Sequence, residues 1–148
     1  MLLEEFVPML EREHALGADG NKRGMLGWSM GGYGAIRATE RAPQTFAAVA
    51  AASPAIFTSY SAIVSHAFDD SADFAANDVI AMSGRLSSTP VRIDCGTGDP
   101  FHPADVAFAG ALPRRPEGDL SSKGCHNGKA WRAFAPGQVD FFGRWLAS

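Results

Sequence analysis

The sequence predicts an α/β fold: a mostly parallel sheet with flanking helices. Short apolar runs of strand length alternate with amphipathic stretches of helix length, the order that a parallel sheet requires. Phe46–Ala52 is a continuous apolar run of the kind buried on both faces of such a sheet. Gly27-Trp28-Ser29-Met30-Gly31 has the form Gly-x-Ser-x-Gly and lies between a short apolar run and a helical stretch. That pattern marks a sharp turn from strand to helix with the serine at its tip.

The elements follow in order. Leu2, Leu3, Phe6, Val7 and Leu10 oppose Glu4, Glu5, Glu11, Arg12 and Glu13, so residues 2–15 read as an amphipathic helix packed on the sheet rather than docked on a membrane. Pro8 kinks that helix or begins its second part. Residues 17–21 form a turn, and Lys22–Trp28 a short buried strand. Gly32–Arg41 is a helix carrying Tyr33, Ala35, Ile36 and Ala38. The run ending at Ala52 is the next strand. Residues 54–89 are rich in Ala, Ser and Asp with Phe57, Tyr60, Phe68 and Phe74 irregularly spaced, and they are expected to form a cap insertion over a pocket. Val91–Gly96 is a strand entered from Pro90 and ended by Gly96-Thr97-Gly98. Asp105 opens a helical stretch to Leu112, where its charge suits a helix N-terminus. Pro136–Ala147 is the closing helix, with Val139, Phe142, Trp145 and Leu146 on one face. There is no internal repeat and no low-complexity linker.

The Gly-x-Ser-x-Gly turn points to nucleophilic catalysis. The turn strains the serine backbone, and glycines at 27 and 31 remove the Cβ atoms that would clash there. A serine hydroxyl is a poor nucleophile unless a base takes its proton and a third group orients that base. In the α/β-hydrolase chain order the acid and then the histidine follow the serine. Asp99 lies in the loop just past the strand that begins at Val91, and Asp94 is its rival, placed by alternation inside the strand. Of His14, His66, His102 and His126, only His126 lies late in the chain, before a terminal helix. His102 reads as a turn or pocket residue, and His14 and His66 as solvated. Asn127-Gly128 after His126 leaves a plain turn as the alternative reading there.

Gly27–Ala35, Ala50–Ala55, Gly96–Phe101 and His126-Asn127 with Trp131 together resemble the Putative esterase group of α/β-hydrolases. Esterase D (S-formylglutathione hydrolase), feruloyl esterases and the antigen 85 mycolyltransferases belong to that group. The resemblance implies the C-terminal part of an α/β-hydrolase fold, a single partial domain over residues 1–148. It implies Ser29 as nucleophile, Asp99 as orienting acid, His126 as base, the Met30 N–H as one oxyanion donor and Trp28 as a substrate contact. The reaction expected is cleavage of a carboxylic ester through an acyl-enzyme. Acyl transfer of the mycolyltransferase type, or a truncated non-catalytic remnant, is the alternative. A whole hydrolase of this group carries a further N-terminal part of about 100 residues or more, including the loop for the second oxyanion donor. Without it the strand ending at Trp28 is expected to be an exposed edge, open to self-association. In this fold Cys95 and Cys125 fall at neighbouring strand ends. A disulfide between them stands against two free buried thiols.

Composition narrows the partners. The chain has 148 residues, 46% hydrophobic, with ten Phe, enough for a core of its own. A net charge of −3 without a basic block excludes nucleic acid as an expected partner, and the resemblance implies a small-molecule or lipid ester as substrate. No apolar window has transmembrane length. Glu4 and Glu5 stand where a signal peptide carries basic residues, and the compartment is left open. The histidine and cysteine spacing holds no metal pattern, and no organic cofactor is implied.

Overall fold

The computed structural model describes residues 2–14, 22–63 and 66–147. The turn expected at 17–21 and residue 15 of the first helix lie outside the described residues. A π-helical turn at Leu2–Phe6 leads into helix α1 (Val7–His14). Then come β1 (Gly24–Trp28), α2 (Met30–Arg41), β2 (Ala48–Ala52), α3 (Ser71–Ala76), α4 (Val79–Met82), β3 (Val91–Asp94), α5 (His102–Ala111) and α6 (Gly128–Leu146).

The three strands form a parallel sheet in the order β1-β2-β3. Gly24 to Trp28 pair with Ala48 to Ala52, and Val49 to Ala52 pair with Val91 to Asp94. Every residue of the central strand β2 is buried. Alternation sends Val49 and Ala51 to one face, where they join Ala35 and Ile36 of α2, Val79, Leu86, Ile93 and Phe108. Ala48 and Ala50 face the other way, against Phe141, Phe142 and Trp145 of α6. Small residues on β2 let helices close on both faces, which makes a three-layer stack.

A further segment runs beside the outer edge of β3. Glu117 N–H donates to Val91 O (2.9 Å), Ile93 N–H to Glu117 O (2.9 Å), Cys95 N–H to Asp119 O (2.8 Å) and Thr97 N–H to Ser122 O (3.0 Å). The sequence gives no strand signal here, because Gly118 must adopt φ 123° and a Cβ at that position would lie 1.9 Å from Ile93 O.

Two expectations need correction, for the closing helix and for the N-terminal helix. The closing helix starts at Gly128 rather than Pro136, because the Asn127 side chain caps it, accepting from Lys129 N–H (3.0 Å) and Ala130 N–H (3.1 Å). Pro136 sits inside it, at the loss of one helical hydrogen bond. Its buried face is Phe134, Gln138 and Phe141, while Val139 is 69% exposed. The N-terminal helix has no buried residue; Leu2, Leu3 and Glu4 share a groove with Tyr33 and Arg37 of α2, and Glu11 pairs with Arg23 at 2.6 Å. Within 54–89, Ile56, Val79 and Leu86 enter the core, while Phe57, Phe68 and Phe74 stack edge to face in a chain that continues from Phe57 to Phe101.

Replacing Phe141 by Ala is expected to cost about 3–5 kcal/mol in urea unfolding, because it leaves a cavity under β2. Val139→Lys, on the exposed side of the same helix, is expected to stay within about 0.5 kcal/mol.

Candidate active site

The parallel register sends the C-terminal ends of all three strands to one edge of the sheet. Ser29 follows β1 directly and has φ 53° and ψ −123°, a region that non-glycine residues rarely adopt. Surrounding hydrogen bonds hold it there. Its N–H donates to Ala52 O (3.0 Å), prolonging the β1–β2 ladder, and its carbonyl accepts from Tyr33 N–H (3.0 Å) and Ala55 N–H (3.0 Å). Such strain persists only where neighbours over-determine it.

The glycines around Ser29 differ in what they do. A Cβ on Gly27 would lie 2.0 Å from Gly31 O, and one on Gly32 would lie 3.1 Å from Gly27 O. A Cβ on Gly31 would meet nothing within 4 Å, so the relief expected at both 27 and 31 belongs to Gly27. Met30 starts α2 and is 79% exposed, and its N–H is among the first-turn donors that a helix leaves without an internal acceptor.

Asp99 and His126 arrive on adjoining loops. A Cβ on Gly96 would lie 2.4 Å from Gly124 Cα, and Gly98 N–H donates to Gly124 O (2.9 Å), so glycine on both loops permits the contact. His126 Nε2 lies 2.8 Å from Ser29 Oγ. Its Nδ1 lies 3.0 Å from Asp99 Oδ2 and 3.2 Å from Oδ1. Phe101 N–H donates to Asp99 Oδ1 (3.0 Å), and the Asp99 side chain is fully buried. Ser29, His126 and Asp99 thus form one hydrogen-bonded chain. The His126 ring is packed between Phe101 (5.2 Å between centroids) and the edge of Trp131 (5.1 Å). Trp131 stacks on Trp28 at 5.7 Å, and Trp28 is 46% exposed next to Ser29.

The other candidates go elsewhere. Asp94 lies inside β3 on the α6 side, accepting from Arg92 (2.8 Å to each oxygen), Gln138 Nε2 (3.0 Å) and Asp119 N–H (2.9 Å). His102 Nε2 lies 2.8 Å from Leu120 O and so fixes the segment beside β3. His14 and His66 are exposed. Cys95 and Cys125 are free; Cys95 is buried and Cys125 exposed, so the bridge does not form. Among the described residues no three carboxylate, histidine or cysteine side chains converge on a metal position, and no helix is long and apolar enough to cross a membrane.

Asp105 is expected from the sequence to open α5 as a favourable N-terminal charge, but the helix starts at His102. The residue is fully buried in the first turn of α5, where no N–H or O–H donor of the described residues reaches either carboxylate oxygen and only the Cys95 thiol faces it. Burial, opposed by the Cys95 thiol and aided by the Asp99 charge, pushes its carboxyl up to about 8. Periodicity could not show this, because acidic residues in a first turn are usually solvated. Phe101, which contacts both His126 and Asp99, was likewise not singled out from its sequence position.

Comparison with known proteins gives the family and the fold. The family model described as Putative esterase matches residues 1–133. The chain belongs to that esterase family. Among solved structures, a ferulic acid esterase superposes with a TM-score of 0.80 at 21% identity, over 98% of this chain and 60% of its own. The S-formylglutathione hydrolase of Staphylococcus aureus gives 0.73 at 19% identity, over 95% and 58%. MPT51 of Mycobacterium tuberculosis gives 0.74 at 15% identity, over 99% and 66%. The chain thus spans about three fifths of the first two, and shares the fold of α/β-hydrolase-type esterases. No curated protein matches it in sequence.

Gly27→Ala is expected to destabilise this esterase-family chain by more than about 3 kcal/mol, because the added methyl meets backbone that cannot swing aside. Gly31→Ala should be neutral or stabilising by up to about 1 kcal/mol, since Ala favours the helix and has room. Urea unfolding of both variants reads the difference in sign.

Proposed function

We propose that this chain carries the reaction centre of a carboxylic ester hydrolase. The observation behind the proposal is the continuous hydrogen-bonded chain from Ser29 Oγ through His126 to Asp99. In this reading Ser29 is the nucleophile on a nucleophile elbow. His126 Nε2 takes the hydroxyl proton as Ser29 Oγ attacks the ester carbonyl, and Asp99 stabilises the imidazolium through Nδ1–H. The Met30 N–H, at the positive end of α2, is one donor to the developing oxyanion. His126 then gives the proton to the leaving alcohol, which departs and leaves an acyl-serine. Water, deprotonated by His126, releases the carboxylic acid and restores Ser29. With another alcohol in place of water, the same steps give acyl transfer.

Trp28, stacked on Trp131, forms one exposed wall beside Ser29 for the ester. An apolar pocket of about 240 Å³ lined by Ile56, Phe57, Phe101 and Ala104 lies on the Asp99 side. The 54–89 segment supplies the first two of these walls, which is the cap role we assign to it. Purified chain should hydrolyse short-chain p-nitrophenyl esters, and Ser29→Ala should lower kcat by about 10³-fold or more. Equal turnover in both proteins would overturn the assignment.

A second reading concerns assembly. β1 is an edge strand in the described sheet, and Leu26 and Trp28 are 48% and 46% exposed on it. An unpaired edge with apolar side chains is a template for another strand, and antiparallel pairing of β1 with a second copy would be self-complementary. Light scattering of the purified chain should give a mass above one chain, and Leu26→Lys should return it to the monomer. A monomeric parent chain would remove this reading.

A further inference from the structure

The loop that carries Asp99 continues into the first turn of α5, and that turn contains a second buried carboxyl. Asp99 N–H donates to Gly96 O (2.9 Å), His102 N–H to Asp99 O (3.1 Å) and Asp105 N–H to Phe101 O (2.9 Å). The two acids therefore sit on one hydrogen-bonded unit, six positions apart in sequence. Their surroundings are unequal. Asp99 accepts from Phe101 N–H and from His126, whereas no N–H or O–H donor of the described residues reaches either Asp105 oxygen and only the weakly donating Cys95 thiol faces it. The polar groups facing Asp105 are the Cys95 thiol from the end of β3 and the Asp99 carboxylate from the turn. Among the described residues no cation offsets it.

Two neighbouring carboxyls shut away from water, with no cation, do not both ionise. The negative charge settles on the one with N–H donors, and the proton on the one that meets only a thiol. We propose that Asp105 is a positioning residue that acts through Asp99: held uncharged in the first turn of α5, it leaves the loop's single charge on Asp99 and so keeps His126 turned toward Ser29. Loss of the Asp105 proton to solvent would put an uncompensated anion in the core. Water must then enter the first turn of α5 to solvate it. That turn follows directly from Phe101, whose N–H holds Asp99 Oδ1, so opening it releases Asp99 as well.

The sign for stability is set by the same proton. Folding raises the Asp105 carboxyl from 3.8 to about 8. The folded chain keeps a proton that the unfolded chain gives up, so the stability linked to it is fully present below about pH 4. It is lost progressively as pH rises toward 8. Glu40 in α2 shows the same behaviour, raised from 4.5 to about 8 by burial, but it lies away from the Asp99 loop and serves as a control.

The inference rests on the esterase reading for its kinetic consequence, and the test separates the two. kcat and KM for a p-nitrophenyl ester would be measured from pH 6 to 9.5 for the parent chain, Asp105→Asn and Glu40→Gln, with Ser29→Ala as the blank. The kcat of the parent and of Glu40→Gln should fall by about threefold or more above pH 8 with little change in KM. Asp105→Asn should not show that fall relative to its own value at pH 7. In parallel, the low-field proton resonance of His126 Nδ1–H should fade above pH 8 in the parent and persist in Asp105→Asn. The margin in Tm of Asp105→Asn over the parent should widen from pH 5 to pH 9. The same alkaline fall, or the same fading resonance, in Asp105→Asn would overturn the proposal, as would a lower Tm than the parent at pH 9. Absence of Ser29-dependent turnover in every protein, with the resonance and Tm behaving as stated, would overturn the esterase reading alone.

Discussion

The arrangement depends on one strand being thin. β2 is Ala-Val-Ala-Ala-Ala, buried throughout and paired in parallel on both edges. Its small side chains let α2 approach from one side and α6 from the other. A bulkier strand would hold the helices away from the sheet by the size of the extra methyl groups, and close packing does not forgive that distance. Parallel pairing on both sides then fixes where the neighbouring strands stop. Trp28 lies opposite Ala52, and Ala52 opposite Asp94, so the segments that follow start from one line across the sheet. Ser29 and the loop to Asp99 are neighbours because of that register.

Glycine at a few close approaches turns this proximity into hydrogen-bond distance. Gly27 admits the backbone of Gly31 and so allows the reversal that carries Ser29 at φ 53°. Gly96 and Gly124 let the acid loop touch the loop before His126. Gly118 admits the backbone of Ile93, and the segment beside β3 keeps bonding along the acid loop as far as Gly98 and Gly124. These are backbone contacts, so a side chain at any of the clashing positions would displace main chain rather than rotate away. The aromatic packing around His126 adds to this, since Phe101 and Trp131 limit where the ring can lie.

Much of this was legible in the sequence, and the rest was hidden for definite reasons. The strands at 24–28, 48–52 and 91–94 were visible as apolar runs between turn signals. Ser29, Asp99 and His126 were visible through a short motif and chain order, and the structure brings the three together. The segment 117–124 was not visible, because its contacts are made by backbone and its side chains are polar. The start of α6 was missed because Asn127-Gly128 serves equally well as a turn or as a cap. Only the helix that follows decides between those readings, and Pro136 appeared to forbid it. A helix begun at Pro136 leaves Phe134 out of the pattern, and the apolar residues that remain centre near Val139 instead of Phe141. Gly31 was read as a relief of strain, yet only three-dimensional spacing shows which of two glycines faces the other's backbone.

Asp94, Asp99 and Asp105 show why residue type alone cannot assign roles here. All three are buried within a short stretch of chain, and the cost of burying a carboxyl is met differently at each. Asp94 is surrounded by an arginine, an amide side chain and a backbone N–H, so its charge is spent in structure between β3 and α6. Asp105 meets a thiol but no N–H donor and no cation, so burial favours its neutral acid. Asp99 lies between these extremes. One backbone N–H supports its charge, and its remaining strong contact is a histidine whose other nitrogen reaches a serine. A carboxylate with that incomplete set of donors gains most when the imidazole beside it becomes positive, which is the demand that proton transfer from Ser29 would make. On the proposed reading, the acid that orients the base is the one whose remaining partner is the histidine itself. Alternation along β3 and the bend at Gly96–Gly98 give that condition to Asp99.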